Sequence, residues 1–340
     1  MDKKKIVWGG ISLLIAVLTI YTIVGQSKYF SVQLLMQVLR ECSIPWMIAA
    51  VVCMFGFIWF EGLALVRISH YLGYGNTTNR GTLYGAADIF FSAITPSATG
   101  GQPASALFMI RDKMPASVAT ASLIINLVMY TLALLTIGLL AVVFGNNLFM
   151  GFSSLARIII IIGFFLLVFL ALMFYLLLKK GKILSNILNA IVNLLEKIHI
   201  VKNGDKKRMK IHMLTVEYQD CADVIFGKTK MLVEIFVINI LQRLSQLGVS
   251  FMVFMAIGRG VKEAFDISII QCFVAIGSNC IPIPGAMGIA DYLMIDGFSS
   301  IVGQAASGSL EMICRGITFY TCVILSGVIV LYNVLRKKGK

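Results

Sequence analysis

A chain of 340 residues that is 59% hydrophobic, with a mean hydropathy of +0.90 and only 13% charged residues, is too apolar for a soluble domain. The net charge of +13 does not mark a nucleic-acid binder, because the basic residues gather at segment ends and in one long loop. Seven cysteines without a Cys-x-x-Cys pair and three scattered histidines argue against a disulfide framework, a metal site or a cofactor.

A bilayer core takes roughly 20 apolar helical residues to cross, and lipid offers the backbone no hydrogen-bond partner. The expected fold class is therefore an all-α polytopic integral membrane protein. In chain order, "MDKKKIVWGGISLLIAVLTI" has the charge and length of a signal peptide. No small-residue cleavage site follows, so residues 6–24 are expected to remain as the first span. Further spans are expected at 44–66, 117–143, 155–178, 231–257 and 310–333, which makes about six.

Two regions resist that assignment. Residues 83–116 contain "TPSATGGQP" (95–103), and residues 267–306 contain "NCIPIPGAMGIAD" (279–291). Their apolar pieces are short for full crossings, so each is expected to be a re-entrant or broken helix. Residues 179–230 hold eleven Lys and Arg, whereas 144–154 hold none. The positive-inside rule then puts both termini and this loop on the cytoplasmic side of the membrane. Region 83–116 starts and ends on the inner side, region 267–306 on the outer side. Paired Gly/Pro-interrupted segments in two halves are the sequence pointer to a transporter site, and they suggest an inverted repeat. The expected organisation is a membrane half at 1–178, a basic cytoplasmic loop at 179–230 and a second membrane half at 231–340. Within the loop, Ile183, Ile187, Ala190, Ile191 and Leu194 follow helical spacing. Two placements suit that segment: on the inner leaflet, or packed on its own protein.

Both interruptions suit a polar ligand. Broken helices leave N–H and C=O groups free, and a helix N-terminus favours phosphate. Thr95, Ser97 and Thr99 add hydroxyls, while Gly100 and Gly101 allow the chain to turn. In the second break, Pro282 and Pro284 end one helix, and Gly285 and Gly288 open the next with Asp291 one turn in. Polar stripes cross the spans as well: Asn239, Gln242, Arg243 and Gln246; Glu311, Arg315, Thr318 and Cys322; and, more weakly, Ser122, Asn126 and Tyr130. Arg243 lies about halfway along its span with no acidic residue within a turn. A charge there should face a cavity or a partner. Glu311 and Arg315, four residues apart, are expected to neutralise one another. Asp88 and Glu61 are further candidates, expected close to the interface.

"TPSATGGQPASALFMIRDK" before a long apolar helix, and later "PIPGAMGIAD", resemble the two signatures of the lysylphosphatidylglycerol synthase/flippase transmembrane family. That family includes the membrane part of the bacterial multiple peptide resistance factor and stand-alone flippase-like proteins. The later motif commonly reads P-x-P-G-G-x-G with an acidic residue three positions on. Pro282, Pro284, Gly285, Gly288 and Asp291 match it, with Ala286 where a second glycine is common and Asp291 where glutamate is. The earlier motif often has an acidic residue after its glycine pair, where this chain has Gln102. The resemblance implies movement of a phospholipid, with aminoacylated phosphatidylglycerol as the best-known cargo, from inner to outer leaflet.

In full-length members the aminoacyl transfer belongs to a soluble domain that this sequence lacks, so no lysyltransferase activity is expected from this chain alone. The residues expected to bind substrate are Pro96, Thr99, Gly100, Gly101, Arg243, Pro284, Gly285, Gly288, Asp291, Glu311 and Arg315. The expected ligand is an anionic or aminoacylated phospholipid. A separate synthase partner, a homo-oligomer, a lipid-facing enzyme role, a scaffold and a small-solute transporter remain open alternatives.

Overall fold

The structure is a computed structural model. It describes residues 42–95, 98–179, 227–279, 286 and 288–336, together with isolated positions between 186 and 223. The expected first span at 6–24, the amphipathic segment at 183–194, and Pro96, Pro284 and Gly285 lie outside the described residues, the few isolated positions of the loop apart.

The described elements are all helical. They are α1 (Ile44–Tyr71), α2 (Thr78–Ile94), α3 (Gly101–Arg111), α4 (Ala116–Phe144), a short α5 (Asn146–Met150), α6 (Ser154–Lys179), α7 (Thr229–Ala256), α8 (Val261–Ser278), α9 (Ile289–Val302), α10 (Gln304–Arg315) and α11 (Cys322–Arg336). A π-helical turn, Gly316–Thr321, joins α10 to α11 without a break in the chain's path. Five stretches are long and apolar enough to cross a membrane: Ile44–Tyr71, Ala116–Phe144, Ser154–Leu177, Thr229–Ala256 and Ala306–Arg336. They match the expected spans within a few residues at most ends. Pro45 at the first turn of α1 and Pro115 just ahead of α4 set two of the starts, where a missing N–H costs nothing.

Short polar contacts at the helix ends establish which ends lie together. At one end of the bundle, Arg67 of α1 pairs with Glu234 of α7 at 3.3 Å, and the Tyr71 hydroxyl donates to the same carboxylate at 2.9 Å. At the other end, the Ser43 N–H donates to the Ala256 carbonyl at 2.8 Å. So α1 and α7 run antiparallel through the middle of the molecule. Arg80 of α2 and the Tyr84 hydroxyl both reach Asp112, just beyond α3, at 3.6 and 2.8 Å. The α2/α3 hairpin therefore enters and leaves at the Arg67 end, which also carries Lys228. The α8/α9 hairpin enters and leaves at the Ser43 end: Asp296 of α9 accepts from the Ser153 N–H at 2.9 Å, and Gly145 abuts Ile269 of α8. The order span, broken hairpin, span thus occurs twice, as α1–α2/α3–α4 and as α7–α8/α9–α10/α11. The two copies run in opposite directions.

Close helix packing depends on small residues, because lipid removes the hydrophobic drive between helices. Gly62 of α1 meets Gly81 and Gly85 of α2. A Cβ on Gly62 would fall on the Gly81 carbonyl, and a Cβ on Gly85 would come within 2.6 Å of the Gly62 nitrogen. Gly163 of α6 lies in the same manner against the Ile276 carbonyl of α8. These contacts bring the first broken hairpin against α1 and the second against α6. Gly62→Ala is expected to lower the thermal midpoint of the purified protein by several degrees, since overpacking costs about 1–3 kcal/mol even where side chains can give way. Gly75→Ala, with nothing within 4 Å of its new Cβ, should leave the midpoint unchanged.

Candidate functional site

Both breaks reach the same interior space. A cavity of about 580 Å³ is lined by Ala98 and Gln102 from the first break and by Asn279 and Ala286 from the second. Glu61, Asp88, Asn126, Tyr130, Gln242, Arg243, Gln246, Gln271 and Arg315 supply most of its polar wall. Leu127, Leu167, Leu170, Phe174, Phe319 and Val323 supply apolar wall. Ala98 and Ala286 both hold left-handed backbone, with φ of 53° and 50°. Such a conformation costs an L-residue roughly 1–2 kcal/mol and none for glycine. That explains why glycine is common at the position of Ala286, and Gly288 (φ 82°) completes the same turn.

Arg243 stands at the centre of the site. It is 3% exposed, midway along α7. Its Nη1 donates to Gln246 Oε1 at 2.6 Å, and its guanidinium lies 3.7 Å from the Tyr130 ring centroid and 5.4 Å from that of Phe57. Its Nε and Nη2 are buried and have no hydrogen-bond partner among the described residues. Such an orphaned donor costs about 1–3 kcal/mol, more for a charged group. The aromatic faces and Gln246 hold the cation in place and leave two of its nitrogens unpaired. Tyr130 is positioned in turn, its hydroxyl donating to Asn279 Oδ1 at the second break at 3.0 Å.

Next to it lies a hydrogen-bonded network that joins three helices. Glu61 of α1, 6% exposed, accepts from Asn126 Nδ2 of α4 and from Gln242 Nε2 of α7, both at 2.6 Å. Asn239 Nδ2 donates to Asn126 Oδ1 at 3.1 Å. Glu61 and Arg243 influence one another electrostatically across the gap between α1 and α7. The acidic counterpart that α7 lacks within its own turn comes from a neighbouring helix. Glu61 and Asp88, further candidates from the sequence, both line this cavity. One lone acid per helix leaves no periodic trace, and helix packing alone brings them together.

The second charged cluster differs from expectation in its pairing. Arg315 does not simply neutralise Glu311 four residues back. Its Nε meets Asp291 Oδ1 of α9 at 2.7 Å, and its guanidinium stacks 5.0 Å from the Phe319 centroid. Asp291 Oδ2 accepts the Gly288 N–H at 2.8 Å, so this carboxylate both caps α9 and ties the second break to the last span. Glu311 lies beside Asp291. Arg315 lines the cavity, whereas Asp291 and Glu311 are not part of its lining. Thr318, Phe319 and Cys322, in and after the π turn, also face the cavity. Single π turns inside helices recur at functional sites.

At the first break, the Gly100 N–H is held by Thr95 Oγ1 at 2.9 Å. A Cβ on Gly101 would strike Asp88 and Ser92 of α2. The glycine pair therefore lets α3 begin directly against the Asp88 carboxylate. Thr99 is exposed at the tip of the turn. Of the expected site residues within the described set, Arg243 and Arg315 face the cavity, and Gly100, Gly101, Gly288 and Asp291 shape the two breaks around it. Among the described residues, no group of His, Cys, Asp and Glu is arranged to hold a metal ion.

The network and the arginine should respond differently to substitution. Glu61→Leu strips a partner from two buried amides and is expected to cost several kcal/mol, as breaking a buried charged network does, seen as a large drop in thermal midpoint. Arg243→Gln removes two unpaired nitrogens together with one hydrogen bond and two aromatic contacts, so its midpoint is expected to fall less than that of Glu61→Leu.

Comparison with known proteins agrees with the architecture. Among the curated proteins and among the solved structures compared with the chain there is no significant match. A family model described as the lysylphosphatidylglycerol synthase TM region matches residues 9–326, which takes in both breaks and every described span except the end of the last. The chain is a multi-pass membrane protein that belongs to the lysylphosphatidylglycerol synthase transmembrane-region family.

Proposed function

We propose that the protein moves a phospholipid across a bacterial cell membrane from the inner to the outer leaflet, with phosphatidylglycerol or an aminoacylated derivative such as lysylphosphatidylglycerol as cargo. One observation carries this reading: a buried guanidinium with two unpaired nitrogens, on a residue that lines a cavity bounded by both helix breaks. A phosphodiester is the ligand such a fork suits, since guanidinium binds phosphate oxygens through paired, charge-assisted hydrogen bonds. The family description supplies the lipid class, because it names a phosphatidylglycerol product.

The geometry suits alternating access. Two hairpins that approach one site from opposite ends can open it to each side in turn, as repeats of opposite direction do in transporters. A headgroup in the polar part of the cavity would leave its acyl chains to the apolar part and the lipid beyond. With the basic loop in the cytoplasm, the α2/α3 hairpin guards the inner side and the α8/α9 hairpin the outer side.

Reconstitution tests the proposal. The purified protein is placed in liposomes with headgroup-labelled phosphatidylglycerol or lysylphosphatidylglycerol, and exposure of the label at the far leaflet is followed with a membrane-impermeant quencher. The expected result is faster exposure than in protein-free liposomes, reduced at least tenfold by Arg243→Gln, a loss equivalent to about 1.4 kcal/mol. Wild-type rates in a folded Arg243→Gln protein would remove the central residue of the proposal. No acceleration of either lipid by folded wild-type protein would point to a small solute instead.

A further inference from the structure

Helix α8 meets its neighbours largely through smooth, apolar contacts. A Cβ on Gly138 of α4 would strike Ile276, and one on Gly145 would strike Ile269. Gly163 of α6 lies against the Ile276 carbonyl, and the rings of Phe149 and Phe152 lie 5.3 and 6.0 Å from that of Phe273. The hydroxyls of Ser268 and Ser278 and the Cys272 thiol bond back to carbonyls of α8 itself. Asn279, the residue that closes the helix, does otherwise. Its Oδ1 accepts the Tyr130 hydroxyl of α4 at 3.0 Å.

The ring of the same tyrosine holds Arg243. The guanidinium lies 3.7 Å from the Tyr130 centroid, nearer than the 5.4 Å to Phe57. A guanidinium stacked on a ring keeps its N–H groups in its own plane, so it can bind an oxyanion while the stack persists. Arg243, Tyr130 and Asn279 all line the cavity. A long side chain that must be ordered when its ligand arrives binds more weakly than one already held. The stack supplies part of that order, and the bond to Asn279 keeps the ring itself from shifting. One run of contacts therefore leads from α7 through α4 to the end of α8.

We propose that Tyr130 is a positioning residue for an oxyanion at Arg243, and that its bond to Asn279 couples occupancy of that site to the order of α8. The assignment rests on the reading of Arg243 as the anion-binding residue of the cavity. Coupling of this kind is reciprocal. A fixed end of α8 raises the affinity of Arg243 for the anion. A bound anion, by holding the guanidinium and the ring stacked on it, steadies the end of α8. The second hairpin thus registers whether the site is loaded, through a hydrogen bond set among apolar contacts.

Affinity and hydrogen exchange of the full chain in detergent test it. Dihexanoyl phosphatidylglycerol and inorganic phosphate are titrated by calorimetry into wild type, Tyr130→Phe, Asn279→Ala and the double variant. Tyr130→Phe keeps the stack and loses the bond, and Asn279→Ala cuts the same bond from the other side. Each is expected to weaken binding about fivefold, the scale on which one hydrogen bond tells. The double variant should bind no more weakly than either, because the two changes remove one interaction. In wild type the anion should slow amide exchange near the end of α8 by roughly threefold or more. In either variant that slowing should vanish, and one folded variant suffices. Wild type that binds anion with no change in α8 exchange would overturn the coupling whether or not the variants fold. A merely structural role would lower the thermal midpoint and leave affinity and the exchange response of folded protein intact, which would overturn the proposal, as would additive losses. Binding of phosphate but not of the lipid, with the same dependence on Tyr130, would keep the positioning role and reject the lipid cargo. Lipid movement in liposomes with unchanged affinity in Tyr130→Phe would do the reverse. Binding of neither probe to folded wild type would overturn both.

Discussion

Backbone that leaves a helix inside a bilayer must find partners in the protein or face a water-filled space, because hydrocarbon offers none. This protein breaks its backbone twice, and everything at the site follows from where the breaks are sent. Described residues beside both breaks line one cavity. The left-handed residues Ala98 and Ala286, the glycine at 288 and the caps from Thr95 and Asp291 are the local means of making the turns. The antiparallel pair α1 and α7 provides the fixed wall against which they stop.

That wall combines two kinds of polar group with different consequences. Glu61, Asn126, Asn239 and Gln242 link α1, α4 and α7 through short bonds. Such a network fixes the relative rotation of the helices, since a slipped register would leave buried amides unpaired. Arg243 has the opposite character. It is held by aromatic faces and one amide, and its Nε and Nη2 have no partner among the described residues. A rigid frame beside an under-satisfied cation is the preorganisation a binding site needs, because the ordering is complete before the ligand arrives. The Asp291–Arg315 contact extends the frame to the last span, where the π turn brings Thr318 and Phe319 to the same wall.

Small residues decide how near the moving parts lie to that frame. Gly62 against Gly81 and Gly85 brings α2 to backbone contact with α1, and Gly101 does the same for α3 at Asp88. The Gly81-Thr-Leu-Tyr-Gly85 spacing is a small-xxx-small pattern, legible once its partner Gly62 is known. Without the partner, a pair of glycines four apart in an apolar chain has many explanations.

Much of the architecture was legible from the amino-acid order. Span positions followed from the length of apolar runs, the breaks from Pro and Gly within them, and the opposed hairpins from where Lys and Arg fall. The stripe Asn239, Gln242, Arg243 and Gln246 followed from helical spacing, and the structure keeps it on one face of α7 towards α1 and α4. These features depend only on distance along the chain. The identity of each residue's partner does not. Glu61 and Asp88 looked like isolated acids, and Glu311 was the nearest carboxylate to Arg315 in sequence. Packing instead brought Asp291 to Arg315, set Glu61 between Asn126 and Gln242, and left Asp88 open to the cavity. Helical periodicity defines the direction a side chain takes around its own axis, whereas only the assembled bundle decides which neighbour lies in that direction and how far away.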